Sequence, residues 1–215
     1  MTKVIGFGFM NRSGKDTAAA EIIKQRHKYS KAERTLPIGA SVYDIRRYGF
    51  GDALKAEVNA AIEKAGNAVE LFHQMDEQLP EWVVMEDPDM TDPLCPYGKF
   101  RTLLQFWGSE YRRGQNPRYW IERLEERIYR ENPEVALISD VRYSNELSWI
   151  KSTMNGYAVH VHRPEGPTGT GHQSEKELAA LPEQAWSATL YNHEEHFDWF
   201  KENAVRLFDE LMARQ

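Results

Sequence analysis

The sequence predicts an α/β layer fold built on a parallel sheet, and three features of the chain indicate it. Short apolar runs typical of buried strands alternate with amphipathic stretches typical of helices. The first apolar run leads through polar residues and Gly14 directly into an Ala-rich helical stretch. A second run, Ala136 to Ile138, is followed by Ser139 and Asp140, the pattern of a buried strand that ends in an acid.

Hydrophobic periodicity places the elements in order along the chain. The predicted strands are 4–9, 136–140, 158–162 and, with a weaker pattern, 188–192. The predicted helices are 15–28, one from Asp52, one from about Phe100, 120–130, one from about Ser144, and 197–211. Residues 30–47 have no clear pattern, and 76–98 contains four prolines and is predicted to be mostly loop.

Length and composition indicate a single globular domain of 215 residues. One cysteine, Cys95, excludes an internal disulfide. No apolar run approaches the roughly 20 residues of a membrane span, and the first residues enter a strand without a signal-peptide layout. We therefore expect a cytoplasmic protein with no membrane partner, in the host cytoplasm if a phage encodes it.

The net charge is −6, but the acidity is concentrated in one segment. Between Lys64 and Lys99 there are eight acids and no Lys or Arg, so the remainder of the chain is slightly basic. A net negative charge argues against nucleic acid as a partner and leaves nucleotides open. We interpret the acidic segment as a solvated, peripheral insertion.

A phosphate-binding loop is predicted between the first strand and the first helix, at Asn11, Arg12, Ser13, Gly14, Lys15, Asp16 and Thr17. Backbone N–H groups and the helix dipole bind anionic oxygens there, and Lys15 adds a positive charge. The loop departs twice from G-x-x-x-x-G-K-S/T: Phe9 stands at the leading glycine, and Asp16 follows the lysine. Asp16 would hold Mg²⁺ directly or through water. The alternative is a strand–helix turn with a solvated lysine.

A polar stripe is predicted on the helix that begins near Phe100. Arg101, Gln105, Gly108 and Arg112 share one helical face at spacings of 4, 3 and 4. Two guanidinium groups suit a phosphate, an amide suits a base edge, and a glycine leaves room for a ligand. The alternative is a solvated face with a structural glycine.

Two further features follow the strand that ends at Asp140. Asp140 stands where P-loop enzymes keep a carboxylate near Mg²⁺, with a helix N-cap as the alternative, and Arg142 could reach a transferring phosphoryl group. The Gly- and Pro-rich segment from Arg163 to Gln173 has the composition of a closing lid. His160 and His162 face one side of a strand, and we interpret them as satisfied strand histidines rather than metal ligands.

Taken in order, these motifs resemble the phage-type deoxynucleoside monophosphate (dNMP) kinases of the P-loop nucleoside monophosphate kinase superfamily. The matching segments are 12–17, 50–55, 101–108 with Arg112 and Trp120, 140–146, 163–164 and 172–175. The resemblance implies a three-layer P-loop kinase fold, with helices flanking a five-stranded parallel sheet in the order 2-3-1-4-5. It also implies one domain over 1–215, with a monophosphate-binding insertion at about 52–130 and a lid at about 163–175.

The resemblance further implies ATP and Mg²⁺ as cofactors and transfer of the γ-phosphoryl group to a dNMP. Lys15, Arg142 and Arg163 would act on the phosphoryl groups, and Asp16 and Asp140 on the metal. The implied substrate-binding residues are Asp52, Lys55, Arg101, Gln105, Gly108, Arg112, Trp120, Asp140, Arg142, Asn145, Glu146, His172, Ser174 and Glu175. Among them, Gln105 and Asn145 are candidates for reading the base. The resemblance also allows a homodimer.

Three alternatives remain at this point. Another small-molecule P-loop kinase, of the dephospho-coenzyme A or shikimate type, would share the loop and the lid but not the Arg101–Arg112 stripe. A regulatory nucleotide switch would be expected to carry an Asn-Lys-x-Asp motif, which the chain lacks. A nucleic-acid-binding ATPase would be expected to carry a basic face.

Overall fold

The computed structural model describes residues 2–9, 12–28, 41–164 and 177–214. The strands are β1 (Lys3–Gly8), β2 (Ile45–Tyr48), β3 (Val135–Val141), β4 (Tyr157–His162) and β5 (Ala188–Tyr191). The helices are α1 (Lys15–Arg26), α2 (Phe50–Ala65), α3 (Ala68–Met75), α4 (Arg101–Gln105), α5 (Tyr119–Glu131), α6 (Ser144–Ser148) and α7 (Phe197–Ala213). Two π-helical segments, Phe106–Arg113 and Trp149–Thr153, continue α4 and α6. Short 3₁₀ turns lie at Glu183–Ala185 and Glu194–His196.

The five strands form one parallel sheet in the order β2-β3-β1-β4-β5, as the resemblance implies. All strands therefore end at one edge of the sheet, which is the edge where ligands bind in open α/β folds. The pairing of β1 with β3 is irregular at this edge. Gly6 pairs with Ile138 and Gly8 with Val141, so β3 carries one extra residue around Ser139 and Asp140. Bulges of this kind re-aim side chains beside functional sites.

The chain divides into two compact units, Met1–Gly49 with Arg127–Gln215, and Phe50–Glu126. The first unit contains the sheet, and its main core lies between the sheet and helices α1 and α7. Ile5 and Phe7 of β1 face this core, together with Ala18 and Ile22 of α1. The opposite face of the sheet packs on the π-helical segment after α6, where Ile150 leaves no room for a side chain at Gly6. Helices thus flank the sheet on both faces.

The second unit has its own apolar core, which joins α2, α3 and the helix from Arg101. Val58, Ile62, Leu71 and Leu103 are buried in it, and the rings of Phe72 and Phe100 meet edge to face at 5.8 Å between centroids. The unit spans nearly the region predicted as a monophosphate-binding insertion, and that role stays a prediction.

The acidic segment is not simply solvated, which corrects that part of its interpretation. It is largely irregular, as its prolines predict. However, Val83 and Cys95 are buried, and two of its acids make structural contacts within the second unit. A Glu86 carboxylate oxygen accepts the backbone N–H groups of Arg101 and Thr102 at the start of α4. The segment therefore caps a helix that Phe100 itself cannot cap.

Within the described ranges, no helix is both long and apolar enough to cross a membrane.

Candidate functional site

Ser13 and Gly14, at the end of the loop between β1 and α1, are held by contacts within the first unit. Gly14 has φ of 104°, and a Cβ there would lie 2.6 Å from Asn192 Nδ2 and 3.0 Å from Phe200 Cζ. Asn192, just after β5, also donates from Nδ2 to the Ser13 carbonyl at 2.9 Å. Only glycine satisfies both the backbone angle and the contact, so the predicted glycine is required by the packing of the loop.

Lys15 is buried at the first position of α1, with 6% of its surface exposed. Its Nζ donates to the Phe9 carbonyl at 3.1 Å and to the Ser13 hydroxyl at 3.3 Å. The ammonium group is thus directed back into the loop rather than into solvent, which argues against the solvated-lysine alternative. The N-cap of α1 is Gly14, which has no side chain to cap the helix. N–H groups at the start of a helix form the kind of site that binds an anion such as a phosphate.

Phe9, which stands at the position of the leading glycine of the consensus, has an unusual backbone conformation. Its φ is 109°, a region that side chains rarely adopt. Its ring packs edge-on against His160 at 4.2 Å between centroids.

Asp16 lies in a three-residue network within the first unit. Its Oδ1 accepts from the Ser139 hydroxyl at 2.7 Å and from Arg47 Nη2 at 3.2 Å, and Arg47 Nε donates to Ser139 Oγ at 3.1 Å. The Asp16 side chain is nevertheless 75% exposed. The sequence does not indicate Arg47 or Ser139 as site residues, because residues 30–47 show no clear pattern and a serine beside an acid can have many roles.

The residues present fit a magnesium ion that is bound mainly by phosphate and water. Mg²⁺ commonly takes one or two carboxylates together with substrate phosphates, rather than a cage of protein ligands. Asp16 supplies an exposed carboxylate at the phosphate loop, and Asp140 lies half-buried on the bulged end of β3. No group of three or more His, Cys, Asp or Glu side chains that could hold a metal occurs in the described part of the chain.

The segment after β3 contains both an exposed cation and a structural acid. Arg142 is exposed, as a phosphoryl-binding arginine requires. Glu146 is only 2% exposed, and its Oε2 accepts the N–H groups of Arg142 and Tyr143 at 2.8 and 3.1 Å. Glu146 thus closes the capping box that starts α6, and its contact with the substrate stays a prediction. Asn145, in the same helix, is half-buried.

Arg163, at the end of β4, contacts the phosphate loop directly. Its Nη1 donates to the Arg12 carbonyl at 3.1 Å, so the base of the predicted lid reaches the loop of the first unit. Four predicted site residues lie outside the described residues: Asn11, His172, Ser174 and Glu175. Most of the predicted lid lies there as well. Glu177, just beyond it, accepts from the N–H and hydroxyl of Ser144.

His160 differs from the satisfied strand histidine that the sequence predicts. Its ring stacks on Trp186 at 5.2 Å and 24°, and its Nε2 is buried with no hydrogen-bond partner in the described residues. Burial, and secondly the nearby charge of His162, lower the pKa of His160 to about 4. The ring is therefore neutral near pH 7 and acts as an aromatic packing surface.

In the second unit, Lys55 and Arg101 have different surroundings. Lys55 Nζ pairs with Asp92 of the acidic segment at 2.9 Å, a partner that the sequence did not suggest. Burial opposes ionisation of Asp92, but the bond from Lys55 outweighs it and leaves the pKa of Asp92 below its ordinary value. Arg101 is exposed, and Asp52 and Gln105 are half-buried. All four remain predicted substrate ligands.

Gly108 of the predicted stripe and Trp120, another predicted substrate residue, both have packing roles. A Cβ at Gly108 would lie 2.8 Å from Leu54 Cδ2, so the glycine makes room for α2, and its contact with a ligand stays a prediction. Trp120 is 4% exposed and donates from Nε1 to the Gly108 carbonyl at 2.9 Å, which makes it a core residue. The single helical face is also interrupted, because Phe106–Arg113 is π-helical and the 3.6-residue repeat fails there.

Arg112 is bound by an acid that the sequence analysis missed. Its Nε donates to Glu57 Oε1 on α2, and its Nη2 pairs with the same oxygen. Trp107 Nε1 and the Tyr119 hydroxyl also donate to Glu57, each at 2.9 Å. On an amphipathic helix Glu57 resembles any solvated acid, and its partners are 50 to 62 residues away in the chain.

Comparisons with known proteins leave the family of the chain open. No family model matches the chain, and no curated protein matches it. Among solved structures, the chain is similar to a sugar kinase from a Janibacter species, solved without ligand. The match has a TM-score of 0.42 and 12% identity and covers 97% of this chain and 95% of that one. A likeness of this size says nothing about activity.

Proposed function

We propose that the protein transfers the γ-phosphoryl group of ATP to a deoxynucleoside monophosphate, giving ADP and a deoxynucleoside diphosphate. The loop between β1 and α1 carries the proposal: Lys15 is buried there with its ammonium group directed into the loop, and the N-cap of α1 is Gly14. This arrangement suits a nucleotide's phosphate chain. The choice of acceptor rests on the ordered motifs that resemble the dNMP kinases.

In this proposal, Lys15 and the first N–H groups of α1 bind the β- and γ-phosphates. Arg142 and Arg163 neutralise charge on the phosphoryl group in transfer. Mg²⁺, held by Asp16 and Asp140, would supply further charge neutralisation on the phosphate oxygens when it is bound. Arg101 and Arg112 bind the phosphate of the acceptor.

No strong general base is required, because the attacking oxygen belongs to a phosphate that is already anionic. Catalysis then comes from alignment of the two phosphates and from neutralisation of their charge.

The test is a coupled assay for ADP release with ATP and a panel of acceptors: the four dNMPs, ribonucleoside monophosphates, shikimate and dephospho-coenzyme A. We expect ADP release that depends on at least one dNMP. ADP release that depends only on another acceptor would mean that this compound, and not a dNMP, is the substrate. ADP release without any acceptor would indicate an ATPase. ATP binding with no release would indicate a nucleotide switch.

The catalytic assignment predicts that Lys15→Met and Arg142→Ala each lower kcat/KM by about 100-fold or more, since each removes a charge from the transferring phosphates. Lys24→Met is the matched control, because Lys24 is on the same helix with its side chain 65% exposed. That control should keep turnover within about twofold. Turnover within a few-fold of wild type in Lys15→Met or Arg142→Ala would contradict the assigned role.

A further inference from the structure

We propose that Glu57 is a positioning residue for the acceptor: it orients the Arg112 guanidinium so that its remaining edge receives the phosphate of the monophosphate. The inference rests on the proposed function and deepens it. Neither the motifs nor the helical spacing indicated Glu57, and every contact that supports its role lies within the second unit.

The first step is the number of donors that Arg112 has. A guanidinium has five N–H donors in a rigid plane. Glu57 Oε1 takes the Nε–H and one N–H of Nη2, and the other donors of the guanidinium are the two N–H groups of Nη1 and the second N–H of Nη2, which form the end of the plane. A planar edge with two parallel N–H groups is the arrangement that binds a phosphate through two hydrogen bonds.

The second step is the rigidity of the plane. The Arg112 guanidinium carbon lies 4.9 Å from the centre of the Tyr111 ring and 5.0 Å from that of Tyr119. Cation–π contacts of this length hold the cation against both rings. The Tyr119 hydroxyl donates to Glu57 Oε2, so one of those rings is itself fixed by the same carboxylate.

The third step is the rigidity of Glu57. Its two oxygens accept from Trp107, Arg112 and Tyr119, and its side chain is 23% exposed. Partial burial and the hydrogen bond to Glu57 raise the pKa of Tyr119, so the hydroxyl remains a donor. An arginine that is already ordered loses less conformational entropy when it binds an anion.

The fourth step is the charge that remains. Arg112 keeps its charge in this setting: burial acts to lower its pKa, but the bond to Glu57 more than compensates. The Arg112 side chain is 27% exposed, so the ion pair is not sealed from solvent. A dianionic phosphate brings more negative charge to this arginine than one carboxylate does.

The experiment compares Glu57→Gln with wild type in the dNMP-dependent assay. Glutamine keeps the shape and an acceptor oxygen but removes the charge that orients Arg112. We expect KM for the dNMP to rise about tenfold, with kcat and KM for ATP within about twofold of wild type. Tyr119→Phe, which removes only one hydroxyl from Glu57, should raise the same KM about threefold. Glu63→Gln, an exposed acid on the same helix, is the matched control and should change nothing.

A merely structural ion pair would give a different pattern. If Arg112 contacts the phosphate, the inhibition constant of the corresponding deoxynucleoside, which lacks the phosphate, should not change in Glu57→Gln. Two outcomes would overturn this inference and leave the proposed function standing. One is an equal rise in the inhibition constant of the deoxynucleoside and in the KM of the dNMP, and the other is an unchanged KM for the dNMP in a folded Glu57→Gln. A wild-type protein with no dNMP-dependent turnover would overturn the inference together with the proposed function. If Glu57→Gln fails to fold, Tyr119→Phe carries the same test.

Discussion

Phe9 holds a backbone angle that glycine adopts without strain, at the position where phosphate loops usually have glycine. Its φ is 109°, its carbonyl accepts a hydrogen bond from Lys15 Nζ, and its side chain packs on His160. The residue therefore combines an unfavourable backbone conformation with a favourable ring contact. The two contributions can be separated by substitution, because alanine and glycine both remove the ring but only glycine relieves the backbone.

We expect Phe9→Gly to be more stable than Phe9→Ala by about 1 kcal/mol. A non-glycine residue at positive φ costs about 1–3 kcal/mol, and glycine avoids this cost but loses part of the advantage because its unfolded chain has more conformational entropy. The measurement is the free energy of unfolding in urea. Gly114→Ala gives the control comparison: its φ is −61° with open space around it, so alanine should be the more stable residue there. An alanine variant at position 9 as stable as the glycine variant would show that the backbone is not strained.

The residues of the site that could be predicted are those whose role is local in sequence. Gly14 and Lys15 follow from a strand, a glycine, a lysine and a helix in succession. Arg47, Glu57 and Asn192 could not be predicted, because each acts on a residue that is tens of positions away or more. A single sequence contains no record of such pairs, and an arginine or glutamate at these positions resembles a solvated charge.

At the scale of the elements, α1 presents the phosphate loop and α7 supports it. Arg26, near the end of α1, is 4% exposed and makes two parallel hydrogen bonds to Asp209 of α7: Nε to Oδ1 at 2.8 Å and Nη2 to Oδ2 at 2.7 Å. The hydrogen bond to Asp209 raises the pKa of Arg26 further. The pair joins the two helices at the end of α1 opposite the loop.

Asp209→Asn should lower the free energy of unfolding by about 2–3 kcal/mol, because it leaves the buried Arg26 without its counter-charge. The neighbouring Glu210→Gln is the control: Glu210 and its partner Arg206 are both more than half exposed, and loss of such a pair should cost less than about 1 kcal/mol. Chemical unfolding of both variants measures the difference. Equal losses would mean that the Arg26–Asp209 pair is no stronger than a surface ion pair.

The elements that sequence patterns missed are the ones without a simple period. β2 has the sequence Ile-Arg-Arg-Tyr, and its two arginines are adjacent, so neither alternation nor a continuous apolar run identifies it. Both arginine side chains hydrogen-bond to polar groups outside β2: Arg47 donates to Ser139, and Arg46 donates to Glu131. The π-helical turn at Phe106–Arg113 is equally hidden, because a pattern read at 3.6 residues per turn assumes the α-helix.

At the scale of the whole molecule, the two units differ in charge and in predicted role. The acidic segment lies entirely in the unit Phe50–Glu126, whereas the phosphate loop lies in the unit that holds the sheet. The order of the sheet could be predicted because the motifs come in the order that the resembled family shows. The net charge of the chain therefore reflects one segment of one unit, and it does not describe the surroundings of Lys15.

The stability of the protein should fall between pH 7 and pH 5, in part because of His160. With a pKa of about 4 in the folded state against 6.5 ordinarily, the unfolded chain binds a proton in this range that the folded chain does not. The free energy of unfolding therefore falls with pH, by about 1 kcal/mol between pH 7 and pH 5 after allowance for partial exposure of the ring.

The variant His160→Phe tests this, because it keeps an aromatic ring between Phe9 and Trp186 and removes the proton-binding site. The free energy of unfolding, measured in urea at pH 7 and at pH 5, should fall by about 1 kcal/mol less in the variant than in wild type. His73→Gln changes an exposed histidine and should leave the pH dependence as it is. If wild type and His160→Phe lose the same stability, His160 takes up its proton in the folded protein as readily as in the unfolded chain, and its ring is not held neutral by burial.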